Sequence, residues 1–318
     1  MQDYLKCCRG LVLGCLGLFA SVAAAWPDRP IEIVVGFAPG GGTDITARTL
    51  ATHLEKELGG SVVIVNKSGA SGAIALTYVA RAKPDGHTLG MTNMPGLLTI
   101  PIERAAGYIP SDFTYLANLV RDPCAFSVSI NSPYQTLADL LVAARANPGK
   151  ISVGTAGIGT DDHLQMVMFE KLTGTKLNHV PFTGSAPQRN SVLGGHTLVG
   201  GMNVGEAMPY SGVNLRILAQ ASDGRSELAP AVPTFKEQGV DLVFASERGL
   251  VAPKGLPAEI QNKLEQALAK IVQNPEFRQQ MKTQFTEIDY LASGPWQARL
   301  KRADAEFRAL WQTQRWAE

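Results

Sequence analysis

A run of three glycines, Gly40 to Gly42, stands between an apolar segment and a helical pattern. Glycines leave their main-chain N–H groups uncovered, so a ligand can approach the backbone closely. The helix that follows directs its free N–H groups and the positive end of its dipole toward the same point. No Lys or Arg lies between Val35 and Ala47. The pattern therefore predicts an anion site that is built from backbone.

The residues after the glycines restrict which anion can bind. A Walker loop ends in Gly-Lys-Ser/Thr, whereas this loop ends in Gly42, Thr43 and Asp44. The dinucleotide fingerprint requires a glycine where this chain has Ile45, and the Asp44 carboxylate would repel a phosphate. Both nucleotide interpretations therefore lose support. The alternative is that Thr43 and Asp44 only cap a helix in an ordinary α/β protein.

A second glycine loop at residues 155–163 repeats the same arrangement of strand, glycines, hydroxyl, acid and helix. It contains Gly157, Gly159, Thr160, Asp161 and His163. In one interpretation His163 donates a hydrogen bond to a bound anion, and in the other it orders its own loop by bonding a backbone carbonyl. Asp161 could also form a hydrolase acid/base pair with Asp44, although each stands where a helix cap belongs.

Other motifs of catalysis and metal binding are missing from the sequence. There is no His-Glu-x-x-His, no Cys-x-x-Cys and no Gly-x-Ser-x-Gly nucleophile elbow. The five histidines show no ligand spacing. We therefore predict no metal site.

Two β–α–β blocks must position the glycine loops, and long helices follow them. The predicted strands cover residues 31–37, 61–65, 87–91, 125–130, 151–154, 177–181 and 215–220. The predicted helices cover 45–58, 73–82, 136–146, a segment ending near Leu172, a short one ending at Leu193, and 257–272, 274–284 and 295–316. Gly59 stands where a helix C′ glycine belongs. Because loops at the carboxyl ends of parallel strands meet at one crevice, residues 40–44, 66–72 and 93–96 should converge.

The first 25 residues have the pattern of a secretory signal. Lys6 and Arg9 form the charged start, residues 11–20 the apolar centre, and three alanines ending at Ala25 the cleavage site. Lipidation at Cys15 is a weaker alternative, because more apolar chain follows it.

Cleavage after Ala25 has consequences for charge and for cysteine chemistry. It removes Lys6, Arg9 and Asp3, so the formal charge changes from +1 to zero, which leaves no electrostatic footprint for nucleic acid. It also leaves Cys124 as the single cysteine, which we expect to be buried.

Ordered motifs along nearly the whole mature chain resemble those of one family, the substrate-binding proteins of tripartite tricarboxylate transporters, or Bug family. The motifs are Trp26-Pro-x-x-Pro-Ile, Pro39-Gly-Gly-x-x-Asp44-x-x-Ala-Arg48, Val65-Asn66, Gly69-Ala-x-Gly72, Pro84-Asp-Gly-His-Thr-Leu89, Pro148-Gly, Gly157-x-Gly-Thr160-x-x-His-Leu164, Val180-Pro-Phe-x-Gly-Ser-Ala-Pro187, Leu193-Gly-Gly195, Val232-Pro-Thr-Phe-x-Glu-x-Gly239 and Gly249-Leu-x-Ala-Pro253. Each motif alone is weak, whereas the ordered set is specific.

The resemblance implies an α/β, two-lobed periplasmic-binding-protein fold, type II-like, with the ligand in the cleft between lobes. The lobes are expected at residues 26–125 plus 248–318 and at 126–247. The function implied is a periplasmic, monomeric receptor that delivers a small carboxylate to a membrane transporter or a sensor, without catalysis or cofactor. The expected ligand-binding residues are Phe37, Ala38, Gly40, Gly41, Gly42, Thr43, Asp44, Asn93, Gly157, Gly159, Thr160, His163, Ser185 and Asn203. A secreted hydrolase that uses the same cleft is the alternative function.

Two departures from the family pattern leave the ligand open among di- and tricarboxylates, amino-dicarboxylates and aromatic acids. Where the family often has an aspartate and an aromatic, this chain has His196 to Asn203 without either. Where it often has an aromatic before Gly-Leu, this chain has Glu247 and Arg248. As a hypothesis Arg248 favours a second ligand carboxylate, and the alternative is a solvated surface arginine.

Overall fold

The computed structural model of the chain describes residues 26–317. The predicted signal peptide, residues 1–25, and the question of Cys15 lipidation therefore lie outside the described residues. Within the described part, no helix is both long and apolar enough to cross a membrane.

Strands and helices alternate through most of the described chain. The strands are β1 (Ile31–Val35), β2 (Val62–Asn66), β3 (Thr88–Met91), β4 (Phe113–Ser129), β5 (Ser152–Thr155), β6 (Asn178–Pro181), β7 (Val199–Asn203), β8 (Leu215–Gln220), β9 (Ala245–Pro253) and β10 (Glu287–Ala292). The helices are α1 (Gly42–Leu58), α2 (Ala73–Ala80), α3 (Gly96–Glu103), α4 (Leu137–Ala146), α5 (Asp161–Thr173), α6 (Ser185–Leu193), α7 (Val204–Ala207), α8 (Ala258–Ile271), α9 (Pro275–Thr283) and α10 (Ser293–Thr313).

The strands form two sheets that share one long strand, β4. In the first sheet β1 pairs in parallel with β2 and β3, while β9 and β10 pair antiparallel with the first part of β4. In the second sheet β5 pairs in parallel with β6 and β7, while β7 and β8 pair antiparallel with the second part of β4. Since β4 changes partner from β9 to β7 near Cys124, this segment connects the two sheets.

Helices cover both faces of the first sheet. On one face α1 packs against α8 and α9, where Leu50, Leu54, Leu264 and Phe277 join one buried cluster. On the other face α10 packs against α3 and β4, and the buried Trp296 ring meets Tyr115 edge to face. In the second sheet Phe126 of β4 packs at 5.0 Å between ring centroids against Phe169 of α5.

The structure corrects several predicted elements. The strand expected at 125–130 is the end of β4, which begins at Phe113, and β7, β9, β10 and α3 were not predicted. β4 is buried over most of its length and β9 over all of it, so both lack the polar alternation that marks a half-buried strand. Helix α1 begins at Gly42 rather than at Ile45. Gly59 ends it, as expected, in the left-handed conformation with φ 69°.

Cys124 is buried, as predicted.

Candidate functional site

A glycine, Gly41, precedes the first residue of α1, and a carboxylate from within the helix bonds back to the first glycine loop. The residue before the helix is Gly41, so neither Thr43 nor Asp44 is the N-cap, which corrects the capping alternative. The Asp44 carboxylate nevertheless accepts a hydrogen bond from the Gly40 N–H at 2.9 Å. It also accepts from the Arg48 guanidinium at 2.9 Å and from the Asn66 amide at 2.8 Å. Burial raises the pKa of Asp44, but the Arg48 and Gly40 hydrogen bonds outweigh it and hold the pKa below its usual value.

The second glycine loop is ordered by its own side chains. Thr160 precedes α5, and the Asp162 carboxylate accepts hydrogen bonds from the Ala156 N–H and from the Thr160 hydroxyl. His163 Nδ1 accepts a hydrogen bond from the Gly159 N–H at 3.0 Å. His163 therefore orders its own loop, as one alternative expected, but through a backbone N–H rather than a carbonyl.

The His163 ring is buried and stacks on the His179 ring, with centroids 4.0 Å apart. Burial lowers the pKa of His163 to about 3, with a smaller contribution from His179. Burial lowers the pKa of His179 to about 4. Both rings are thus neutral at physiological pH.

We expect neither ring to titrate between pH 8 and pH 5. In the unfolded chain both histidines take up protons near pH 6.5, so this pair reduces the stability of the fold as the pH falls below that value. The test is the pH dependence of the two imidazole resonances, assigned with His163→Gln and His179→Gln variants. A midpoint between pH 5 and 7 for either ring would contradict the expectation.

The loops converge on a small cavity between the two sheets. Its lining residues are Phe37, Gly41, Gly42, Thr43, Asn93, Ala156, Asp161, Asp162, Ser185, Asn203 and Glu206. Its volume is about 10 Å³, enough for one water molecule. Three carboxylates and no Lys or Arg line it. A larger groove of about 1040 Å³ lies elsewhere, beside α9, and contains none of the residues expected at the site.

Half of the expected site residues line this cavity and half do not. Phe37, Gly41, Gly42, Thr43, Asn93, Ser185 and Asn203 line it, whereas Ala38, Gly40, Asp44, Gly157, Gly159, Thr160 and His163 lie outside its lining. Several of the second group support the loops, as Asp44 and His163 do. Of the converging loops, residues 66–72 contribute Ser71 and Gly72 to an adjacent small cavity that also includes Phe37 and Asn93.

Backbone and hydroxyl contacts join the two walls of the cleft. The Ala38 N–H donates to the Thr183 carbonyl at 3.0 Å, and the Thr99 hydroxyl donates to the Gly159 carbonyl at 2.5 Å. The Gly42 N–H donates to Glu206 Oε1 at 2.9 Å. The cleft is therefore closed in this structure.

A buried ionic cluster lies beside the cavity. Arg248, 1% exposed, donates to Asp122 Oδ2 at 3.0 Å and to Asn203 Oδ1 at 2.9 Å. The alternative of a solvated surface arginine is therefore wrong. Its Nη2 atom also lies 3.6 Å from Glu206 Oε1, while Nε has no partner within the described residues. The protein's own acids thus neutralise this guanidinium.

The other acids of the cluster are deeply buried. Burial raises the pKa of Asp122 to about 7, although the Arg248 charge opposes the shift. Burial also raises the pKa of Asp161 and of Asp162. Asp161 accepts a hydrogen bond from the Asn203 amide at 2.8 Å, whereas Asp44 bonds Arg48 and Asn66. The two aspartates of the acid/base hypothesis therefore have separate partners.

Sequence reasoning did not single out Glu206. Its carboxylate accepts hydrogen bonds from the Gly42 N–H, from the Ser185 hydroxyl at 2.7 Å and from the Asn203 N–H at 3.1 Å. The sequence signal that predicts part of this geometry is the capping box at the start of α7, in which an Asn stands three residues before a Glu. No local pattern indicates the contact with Gly42, which is 164 residues away.

Comparison with known proteins agrees with this architecture. Residues 46–300 match the family described as "Tripartite tricarboxylate transporter family receptor". The chain is 35% identical over 271 residues to "UPF0065 protein in gbd 5'region" of Cupriavidus necator, covering 84% of this chain and 83% of that protein. It is 33% identical to protein BugT of Bordetella pertussis, covering 79% of each chain.

Solved structures show the same fold. The periplasmic binding protein BugD is 31% identical with a TM-score of 0.85, over 91% of this chain and 98% of that chain. Rpa4515 of R. palustris with adipate is 30% identical with a TM-score of 0.87, over 91% and 98%. MatC of Rhodopseudomonas palustris with bound malate is 26% identical with a TM-score of 0.81, over 91% and 99%. BugD is described as a periplasmic binding protein, and the other two structures are described with a bound dicarboxylate.

These similarities confirm the predicted α/β fold with two lobes and favour a receptor over the alternative of a secreted hydrolase. In this chain two glycine loops at helix N-termini meet across the cleft. The chain belongs to the tripartite tricarboxylate transporter receptor family of periplasmic solute-binding proteins.

Proposed function

We propose that this protein, secreted after cleavage near Ala25, binds a small organic carboxylate in the cleft and delivers it to a tripartite tricarboxylate-type transporter or to a sensor. It acts as a monomer, without catalysis or cofactor. The proposed lobes are residues 26–125 plus 248–318 and residues 126–247, with the ligand between them. Binding closes the two lobes like a hinge.

One observation carries the proposal. The Gly42 N–H, in the first turn of α1, already holds a carboxylate oxygen, that of Glu206. A 17-residue helix directs its dipole at this point, and Ser185 adds a hydroxyl donor. The donors therefore fit a carboxylate without any ligand-facing Lys or Arg.

The roles of the expected site residues follow from their positions. Gly41, Gly42 and Thr43 offer backbone N–H groups at the start of α1, and Ser185 offers its hydroxyl. Phe37, Asn93 and Asn203 form the adjoining wall of the cavity. The remaining expected residues hold the two loops, in which Asp44 and His163 are already engaged by backbone N–H groups. The bound adipate and malate of the two R. palustris proteins support an aliphatic dicarboxylate as the ligand class.

The test is a thermal-shift screen of ligand-stripped protein against a panel of carboxylates that includes adipate, malate, aspartate and benzoate. A ligand at 100-fold excess over its Kd stabilises the native state by about 2.7 kcal/mol, so a true ligand raises the melting temperature measurably. The uncharged amide of each hit serves as the matched control and should give no shift. Recovery of the compound unchanged distinguishes a receptor from a hydrolase. A folded protein that responds to none of the panel would contradict the proposal.

A further inference from the structure

Residues 314–317, which we call the strap, leave α10 and lie between helices that pack on different sheets. Helix α10 ends at Thr313, and Gln314 is extended, with φ −148° and ψ 99°. The chain then folds back, so that the centroid of the Trp316 ring lies 4.6 Å from that of Trp311. Trp316 is 5% exposed although it belongs to no helix or strand. The strap is therefore a packed part of the fold.

The strap contacts α3 on one side and α5 on the other. The Trp316 indole N–H donates a hydrogen bond to Oε2 of Glu103, the last residue of α3, at 3.0 Å. The Gln314 side-chain amide donates to the Val167 carbonyl of α5 at 3.3 Å. Helix α3 packs against α10 on the first sheet, whereas α5 packs against β7 of the second sheet. The strap therefore joins two helices that belong to opposite walls of the cleft.

Glu103 lies where the strap meets the contact between the two walls. Its side chain is 7% exposed, and its Oε1 atom pairs with the Arg104 guanidinium. Its Oε2 atom would lie 3.2 Å from a Cβ built on Gly159 of the second glycine loop. In the same helix, the Thr99 hydroxyl donates to the Gly159 carbonyl. Because Gly159 helps to exclude water from the Glu103 carboxylate, the bond from Trp316 is strongest when the two walls are in contact.

We propose that the strap is a latch, which fastens α3 to α5 once ligand binding has closed the cleft and thereby sets how long the ligand stays bound. This inference rests on the proposed function, in which the ligand drives closure. When the walls separate, water reaches Glu103 and the Val167 carbonyl moves away from Gln314, so both bonds of the strap are lost or weakened. Bonds that exist only in the closed complex slow dissociation and leave the association rate unchanged.

The experiment measures association and dissociation rates by surface plasmon resonance for wild type, Trp316→Phe, Gln314→Ala and the double variant. The probe is whichever of adipate, malate, aspartate and benzoate binds wild type most tightly. Trp316→Phe keeps an aromatic ring and loses only the indole with its N–H donor. We expect each single variant to release the probe about three- to tenfold faster, and the double variant roughly 10- to 100-fold faster. Association rates should stay within about twofold of wild type.

A double-mutant cycle tests the bond between Trp316 and Glu103 directly. Glu103→Gln keeps an acceptor oxygen and removes the charge that strengthens the bond. Its effect on the dissociation rate should not add to that of Trp316→Phe, because the second change then finds the bond already lost.

Two matched controls change the same residue types away from the strap. Trp26→Phe alters a tryptophan whose ring contacts His87 and Lys263. Gln297→Ala alters a glutamine of α10 whose side-chain amide donates to the Ser293 hydroxyl. Both variants should keep wild-type rates of association and dissociation.

Urea unfolding without added carboxylate separates a latch from an ordinary structural contact. The strap variants should then have the same urea midpoint as wild type, because the latch forms only in the closed complex. A lower midpoint together with faster release would make the strap a general support of the fold and would overturn the inference. Unchanged release from the double variant would overturn it too. If wild type binds none of the four carboxylates, the proposed function fails and takes this inference with it.

Discussion

Replacing Gly42 with Ala is expected to prevent closure of the cleft and to weaken ligand binding by roughly 10- to 100-fold, equivalent to about 1–3 kcal/mol of overpacking. A Cβ atom at Gly42 would lie 2.5 Å from Arg248 Nη2 and 2.7 Å from Glu206 Oε1. Neither atom is the free end of a flexible side chain, because Asp122 and Asn203 fix Arg248, and Ser185 and Asn203 fix Glu206. The added methyl group therefore separates the two walls.

The helix itself should tolerate this substitution, because Ala favours a helix by about 1 kcal/mol over Gly. The matched control is Gly294→Ala, at the second residue of α10, where a Cβ would meet nothing within 4 Å. The control should keep wild-type affinity and should lose no stability. Affinity is measured by calorimetry with the panel hit, and closure by the change in radius of gyration on ligand addition. A Gly42→Ala protein that closes and binds as wild type does would show that α1 does not approach the opposite wall in the bound state.

The parallel β–α–β units were predictable from local pattern. Short runs rich in Val and Ile, such as 31–35 and 62–66, are typical of strands covered on both faces, and turn residues separate them from helical repeats. The amphipathic helices α8, α9 and α10 also lie within a few residues of their predicted bounds. In these segments the hydrophobic period and the flanking Gly and Pro residues indicate the same element boundaries.

The strands that join the two sheets were harder to predict. β4 continues through both sheets, and its partners β9 and β7 lie over 70 residues away in the chain. β7 contains two glycines in five residues, and glycine disfavours a strand. These glycines let α5 pack closely on the strand, because a Cβ at Gly201 would lie 3.2 Å from the Asp162 Cβ. The division into lobes at residues 126 and 248 stays a prediction.

The parts of the candidate site that lie within one short segment of the chain were predictable from the sequence. Both glycine loops indicate backbone donors, and His163 and Asp44 lie in them as expected. The buried cluster is different, because Asp122, Glu206 and Arg248 come from three distant segments. Each of them alone resembles an ordinary surface charge in the sequence, and only the pairing of β4 with β9 and β7 brings them together.

Replacing Arg248 with Met is expected to destabilise the fold by about 3–5 kcal/mol at pH 8, because it leaves Asp122 and Glu206 buried without their counter-charge. Met keeps most of the buried volume, so the loss comes from the charge rather than from a cavity. The matched control is Arg29→Met, which removes an exposed pair with Asp85 and should change stability by less than about 1 kcal/mol. Adding Asp122→Asn to Arg248→Met should restore part of the loss, since the amide needs no counter-charge.

The loss caused by Arg248→Met should also depend on pH in a defined direction. Burial already raises the pKa of Asp122 to about 7, and the Arg248 charge limits that rise, so its removal raises the pKa further. A folded state that binds this proton more tightly than the unfolded chain loses stability as the pH increases. In wild type the decrease in stability with increasing pH ends near pH 7, whereas in the variant it continues above pH 7. Urea unfolding of both proteins at pH 6 and pH 8 measures this difference. An equal effect at the two pH values would mean that Asp122 does not depend on Arg248 for its charge.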